Sequence, residues 1–151
     1  MMRNLPKYKS QAKTSSEASE ETENNNSPYY RDVVLVTTEF AFKKALEDNL
    51  EIFQKLCSVV NSFKRYDDKV FLYWESLSWL SYEDEFNSLF SYFMNGHCHF
   101  PWDNFIFHLL GEDLTDHQDI GGMFNNPWNT NGYKTIQYTC NKGKEALKYF
   151  I

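Results

Sequence analysis

The chain has 151 residues, with 15 Lys and Arg against 21 Asp and Glu and a formal net charge of −6, enough for one domain or one domain with a tail. Six Gly and four Pro exclude collagen-like and Pro/Gly low-complexity chains, and no apolar run approaches the roughly 18 residues of a membrane span. Three cysteines, Cys57, Cys98 and Cys140, stand too far apart for a disulfide framework and point to a reducing, intracellular (cytoplasmic) setting, while Met1 to Lys7 lack the apolar stretch of a secretion signal.

Residues 1–28 read as a disordered polar tail, and 29–151 as a single globular domain. From Ser10 to Ser27 only Ala12 and Ala18 are apolar. That cannot offset an ordering cost of roughly 1–2 kcal/mol per residue. Arg3, Lys7, Lys9 and Lys13 precede Glu17, Glu20, Glu21 and Glu23, so the tail is neutral but polarised.

Val33 to Val36 is a short β-branched run and predicts a strand. Thr38 then suits a helix N-cap. Phe42, Leu46, Phe53, Leu56, Val60 and Phe63 recur as one buried helical stripe would, with a break at Asp48-Asn49 as the alternative. Tyr66 to Lys69 is a turn, and Val70 to Trp74 is an apolar run that periodicity leaves open between helix and strand. Ser81, followed by Asp84 and Glu85, predicts a helix start; Tyr82, Phe86, Leu89, Phe90 and Phe93 share its inner face, and Asn95-Gly96 stops it. Pro101 predicts a further helix carrying Trp102, Phe105, Ile106 and Leu109. Thr115 predicts a last short one carrying Ile120, Met123 and Phe124. Tyr133 to Thr139 alternates as a strand, and Lys142 to Phe150 reads as a short helix. The expectation is a mainly α protein with a small β component (α+β): four or five short aromatic-rich helices and two or three short strands.

The chemistry-bearing residues are scattered. His97-Cys98-His99 invites a metal, but zinc needs four converging ligands, and Cys57, His108, His117 and Cys140 occur singly. No metal and no cofactor is expected on that ground. Cys98 between two histidines has no flanking signature of a nucleophile. Glu83-Asp84-Glu85, Glu112-Asp113 and Asp116/Asp119 read as helix-end and surface charges, and phosphate-binding glycine loops are missing. No constellation supports an enzyme.

Leu114 to Gly121 resembles the opening helix of a helix-turn-helix. Tyr133 to Thr139 with Asn141 to Lys144 resembles the wing strand and following helix of winged-helix regulators. That likeness implies DNA binding through Lys134, Lys142, Lys144 and Lys148. It leaves only Asn125 to Gly132, interrupted by Pro127, for the recognition helix.

The charge map carries more. Between Lys69 and Lys134 lie 64 residues without Lys or Arg, holding nine acids and sixteen aromatics. A surface of one sign repels nucleic-acid phosphates and attracts basic proteins over about 8–10 Å in physiological salt. The expected function is therefore a non-enzymatic acidic module that docks a basic protein partner, with direct nucleic-acid binding and membrane contact disfavoured. Its sharper form is a nucleic-acid mimic or inhibitor, by analogy of composition with small acidic phage or plasmid proteins that oppose nucleases. The expected contact residues are Glu83, Asp84, Glu85, Trp102, Asp103, Glu112, Asp113, Asp116 and Asp119, with Trp79 and Trp128 as further aromatic anchors.

Overall fold

The computed structural model describes residues 29–95, 101–113, 116–131, 143–145, 147 and 150. Strand β1 (Tyr30–Thr38) leads into helices α1 (Glu39–Asp48) and α2 (Leu50–Cys57). A hairpin of β2 (Ser62–Tyr66) and β3 (Lys69–Ser78) follows, then helix α3 (Trp79–Asn95). A 3-10 turn at Trp102–Asn104 opens the hairpin of β4 (Phe105–Gly111) and β5 (His117–Gly121), and β6 (Lys144–Glu145) is a short last strand. The sheet runs β5-β4-β1-β3-β2-β6, with every pair antiparallel. From β1 to β4 the succession is a split β-α-β motif, with β1 and β3 at the centre.

The expectation of a mainly α chain is thus overturned: among the described residues three α-helices pack on a six-stranded antiparallel sheet, a sheet-dominated α+β fold. The reason lies in strands covered on both faces. Phe105 to Gly111 are all buried, because Phe105, Phe107 and Leu109 pack against the helices while Ile106 and Leu110 pack on the opposite face. Such a strand is apolar throughout, and its residues satisfy a helical spacing by coincidence. The helices predicted after Pro101 and after Thr115 are β4 and β5, so no opening helix of a helix-turn-helix stands at 116–121. At Lys144–Glu145, where a helix was expected, the chain pairs with β2. The expected tail, the His97-Cys98-His99 loop and the strand from Tyr133 to Thr139 lie outside the described residues.

Other elements form where local chemistry asks for them. The Thr38 side chain accepts from the Ala41 amide at 3.1 Å, capping α1. Asn49 ends that helix, its side-chain amide donating to the Ala45 carbonyl at 2.9 Å, and divides the predicted single stripe into α1 and α2. Phe63, the last residue of that stripe, belongs to β2. Its ring meets the same core as Phe42, at 5.3 Å between centroids.

The aromatic excess fills the layer between helices and sheet. Phe42, Phe53, Phe63, Trp74, Phe86, Phe93 and Phe107 have at most 1 % exposure, and burying each such side chain contributes about 1.5–3 kcal/mol. Trp74 Nε1 donates to the Leu56 carbonyl at 2.8 Å, so the indole joins β3 to α2 without an orphaned donor. On the sheet's other face the segment 122–131 lies over Val34, Val36, Phe71, Ile106 and Leu110, through Met123 and Trp128.

Candidate functional site

The β4–β5 hairpin places three titratable side chains together. His108 pairs across the strands with Asp119, and Leu110 pairs with His117. Alternation along β5 puts His117 and Asp119 on one face, the face of His108, while Ile120 turns toward the helices. His108 Nδ1 is 2.7 Å from Asp119 Oδ1, and His117 Nε2 is 3.0 Å from the same oxygen. On the far side of the ring, His108 Nε2 is 3.0 Å from Thr130 Oγ1, which also accepts from Asn126 Nδ2 at 2.8 Å. Asn126 further donates to the Met123 carbonyl and accepts from the Trp128 amide, so it shapes the segment that covers the sheet.

Burial grades across this group. His108 is fully enclosed, whereas the side chains of His117 and Asp119 are 18 % and 28 % exposed. Desolvation pulls the His108 imidazole below its ordinary value, outweighing the Asp119 carboxylate that would raise it. His108 is therefore neutral at physiological pH. The order carboxylate, imidazole, hydroxyl has the connectivity of a nucleophilic triad. Thr130 is 4 % exposed and already engaged by Asn126, so its hydroxyl is not presented to a substrate and the chain holds the 122–131 segment in place. Among the described residues His108, His117 and Asp119 are the group whose donor atoms converge, all within 4.8 Å of one another. Cys57 is buried and its thiol pushed up to about 12, far from a reactive thiolate.

The predicted contact residues divide. Glu83, Asp84 and Glu85 lie beyond the first turn of α3, which begins at Trp79 rather than Ser81. Glu85 is held by Lys55 Nζ at 2.8 Å, which lowers its carboxyl, and Asp84 lines a shallow polar groove with Asn49, Asn87 and Ser91. Glu83 acts on the charge of Arg31. Arg31 lies over the Trp79 ring, 4.5 Å from its centroid, and 3.5 Å from Asp116. Burial raises the Asp116 carboxyl. Glu112 accepts from the Tyr30 amide at 2.9 Å, and the Asp113 carbonyl accepts from the Asp116 amide at 2.8 Å. So Asp116 and Glu83 act on one sunken guanidinium, where the hairpin meets β1 and α3, while Glu112 joins the same junction through the Tyr30 amide and Asp113 follows it in the chain. Asp119 stands apart, taken by the two histidines.

Trp102 is 57 % exposed, with its edge against Phe105, and Asp103 beside it faces solvent. Trp79 and Trp128 are core residues, at 5 % and 7 % exposure, which corrects the expectation that they anchor a partner. His108, Thr130 and Asn126 were missing from the predicted set. Read as a helix, 101–109 turns His108 away from Asp119; only the hairpin brings them opposite. No helix among the described residues is long and apolar enough to cross a membrane. Comparison with known protein families, with curated proteins and with solved structures gives no match.

Proposed function

We propose that the chain is a non-enzymatic binding module that docks a basic protein surface through the end of its β4–β5 hairpin. The observation that supports this reading is the junction where Asp116 and Glu83 act on Arg31 and Glu112 and Asp113 adjoin them at the hairpin end. Four acids thus stand at a junction with one arginine, Arg31, whose side chain is only 19 % exposed and which Asp116 and Glu83 engage. The surplus charge is negative, and the Lys/Arg-free stretch around it supplies no compensation. Such a patch steers a basic partner and speeds encounter more than it tightens the final complex. Trp102 and Phe124, both more than half exposed, are aromatic residues of this stretch open to a partner, and Trp102 is the one we take as the anchor of the bound state. In the sharper form the carboxylates stand where nucleic-acid phosphates would, and the partner is a nucleic-acid-binding protein.

The test starts with capture from the native host across a salt series, with protein and nucleic acid analysed separately. Changing Glu83, Glu112 and Asp113 together to Lys should slow association with the captured basic protein about tenfold or more at low salt. The rates should converge as salt rises. Trp102→Ala should instead raise the dissociation rate. If the triple variant associates as fast as the parent at low salt, the acidic patch is a solubility device and the docking reading fails.

A further inference from the structure

We infer that His108, His117 and Asp119 form a binding site for one divalent transition-metal ion of the zinc class, with Thr130 and Asn126 orienting the inner histidine. This site is separate from the acidic patch and does not depend on the docking reading.

The donor set is the first argument. Two imidazoles and a carboxylate are the borderline N and O ligands that Zn2+ and its neighbours take, in the number used by sites that leave a position open. Geometry is the second. Ligands about 2.0–2.2 Å from a tetrahedral ion lie roughly 3.2–3.6 Å from one another. Here the two histidine nitrogens stand 2.7 and 3.0 Å from Asp119 Oδ1, and all three donor atoms fall within 4.8 Å. Shifts well under about 1 Å, absorbed by the partly exposed His117 and Asp119, would admit an ion.

The third argument is the far side of the His108 ring. A ligating imidazole places its other N–H on a fixed acceptor, which sets the tautomer and aims the lone pair. Without an ion the 2.7 Å contact puts the His108 proton on Nδ1, toward the Asp119 carboxylate, and the Thr130 hydroxyl donates to Nε2. On binding an ion the hydroxyl, held in turn by Asn126, would turn to accept from Nε2. Once an ion displaces the Nδ1 proton and the ring keeps its proton on Nε2, the Nδ1 lone pair points to the place where Asp119 and His117 meet. Exposure is confined to His117 and Asp119, so the site has an enclosed back and an accessible front, where water or another side chain completes the coordination. The ligands come from both strands of one hairpin, and the orienting groups come from the 122–131 segment. An occupied site therefore ties this segment to the sheet edge.

The experiment is a titration of chelator-treated full chain with Co2+, then Zn2+, followed by visible absorption and calorimetry. One equivalent should bind, with d–d bands and without the charge-transfer band of a thiolate ligand. His117→Gln and Asp119→Asn, both at partly exposed positions, should abolish the bands, and Thr130→Val should weaken binding about 10–100-fold. Zn2+ should raise the melting temperature of the parent and leave that of His117→Gln unchanged. Because His97, Cys98 and His99 also offer donors, a His97→Ala/His99→Ala variant is run in parallel and should bind as the parent does. Failure of the parent to bind either ion overturns the proposal. So does binding that survives His117→Gln, or binding lost in the His97/His99 variant while His117→Gln retains it.

Discussion

Replacing Thr130 by Val removes one hydroxyl and keeps the shape of the side chain. That hydroxyl, on a residue 4 % exposed, lies 3.0 Å from Nε2 of the fully enclosed His108 and 2.8 Å from Asn126 Nδ2. His108 has no exposed surface, so in the variant Nε2 has neither Thr130 nor solvent, at a cost of about 1–3 kcal/mol. Asn126 is half-buried and keeps its bond to the Met123 carbonyl, which limits its share to about 1 kcal/mol. The expected loss is therefore about 2–4 kcal/mol, a large part of the roughly 5–15 kcal/mol typical of a domain. Adding His108→Leu removes the orphaned nitrogen along with its partner. The double variant should be more stable than the two single losses predict, with a coupling of about 1–3 kcal/mol. Urea unfolding of the four metal-free proteins, followed by tryptophan fluorescence at about pH 8, above the imidazole range, measures this cycle. A loss under about 0.5 kcal/mol in Thr130→Val, or strict additivity, would refute the buried chain from Asp119 to Asn126.

Further expectations concern pH, packing and one backbone position. Burial holds His108 below its ordinary value near 6.5, so on acidification the unfolded chain takes up this proton before the fold does. Its contribution is complete above about pH 6.5 and is lost as pH falls toward the folded value. Metal-free parent should therefore lose more melting temperature between about pH 7 and 5 than His108→Leu does, and equal slopes would count against a neutral buried imidazole. Phe53→Ala, at a site with no exposure, should cost about 3–5 kcal/mol in urea unfolding, whereas Leu80→Ala, at 74 % exposure, should stay within about 0.5 kcal/mol. Gly121 has φ +107°, and an added Cβ would collide with the Phe105 carbonyl oxygen. Gly121→Ala should cost more than about 1 kcal/mol by the same measurement.

Where local chemistry decides, the sequence was readable. Thr38 stands where a cap is needed, and Tyr82, Phe86, Leu89 and Phe93 keep helical spacing because α3 buries one face only. Val33 to Val36 was legible as a strand through its β-branched side chains. Where an element buries both faces, spacing carries no phase, and β4 passed for a helix. A length test would have argued otherwise, since the run from Phe105 to Leu110 is short for a helix. The His108–Asp119 pair was hidden by that same misreading. Its visible trace was His117-Gln118-Asp119, two polar groups at strand spacing before Ile120, which becomes a signal once 105–121 is read as a hairpin. The acids were visible as a set. Their division into a patch near Arg31, a Glu85–Lys55 pair and an Asp119 claimed by histidines depends on contacts between distant segments.

The central place of β1 has a consequence for how the chain is made. On one edge its partner is β3; on the other Arg31 faces Gly111 and Thr37 faces Phe105. A ribosome adding about 5–20 residues per second takes roughly 4–14 s to translate the about 70 residues from Thr38 to Gly111. Throughout that interval Val33-Val34-Leu35-Val36 has one bare edge and lacks the Trp128 and Met123 that will cover its second face. An uncharged β-branched run with an open edge is the kind of segment that pairs with its neighbour on an adjacent nascent chain. Recovery of folded protein in cells will thus follow the tempo of translation and the supply of chaperones. Chains truncated before Phe105 should collect in inclusion bodies, even though every residue of β1 to α3 is present in them.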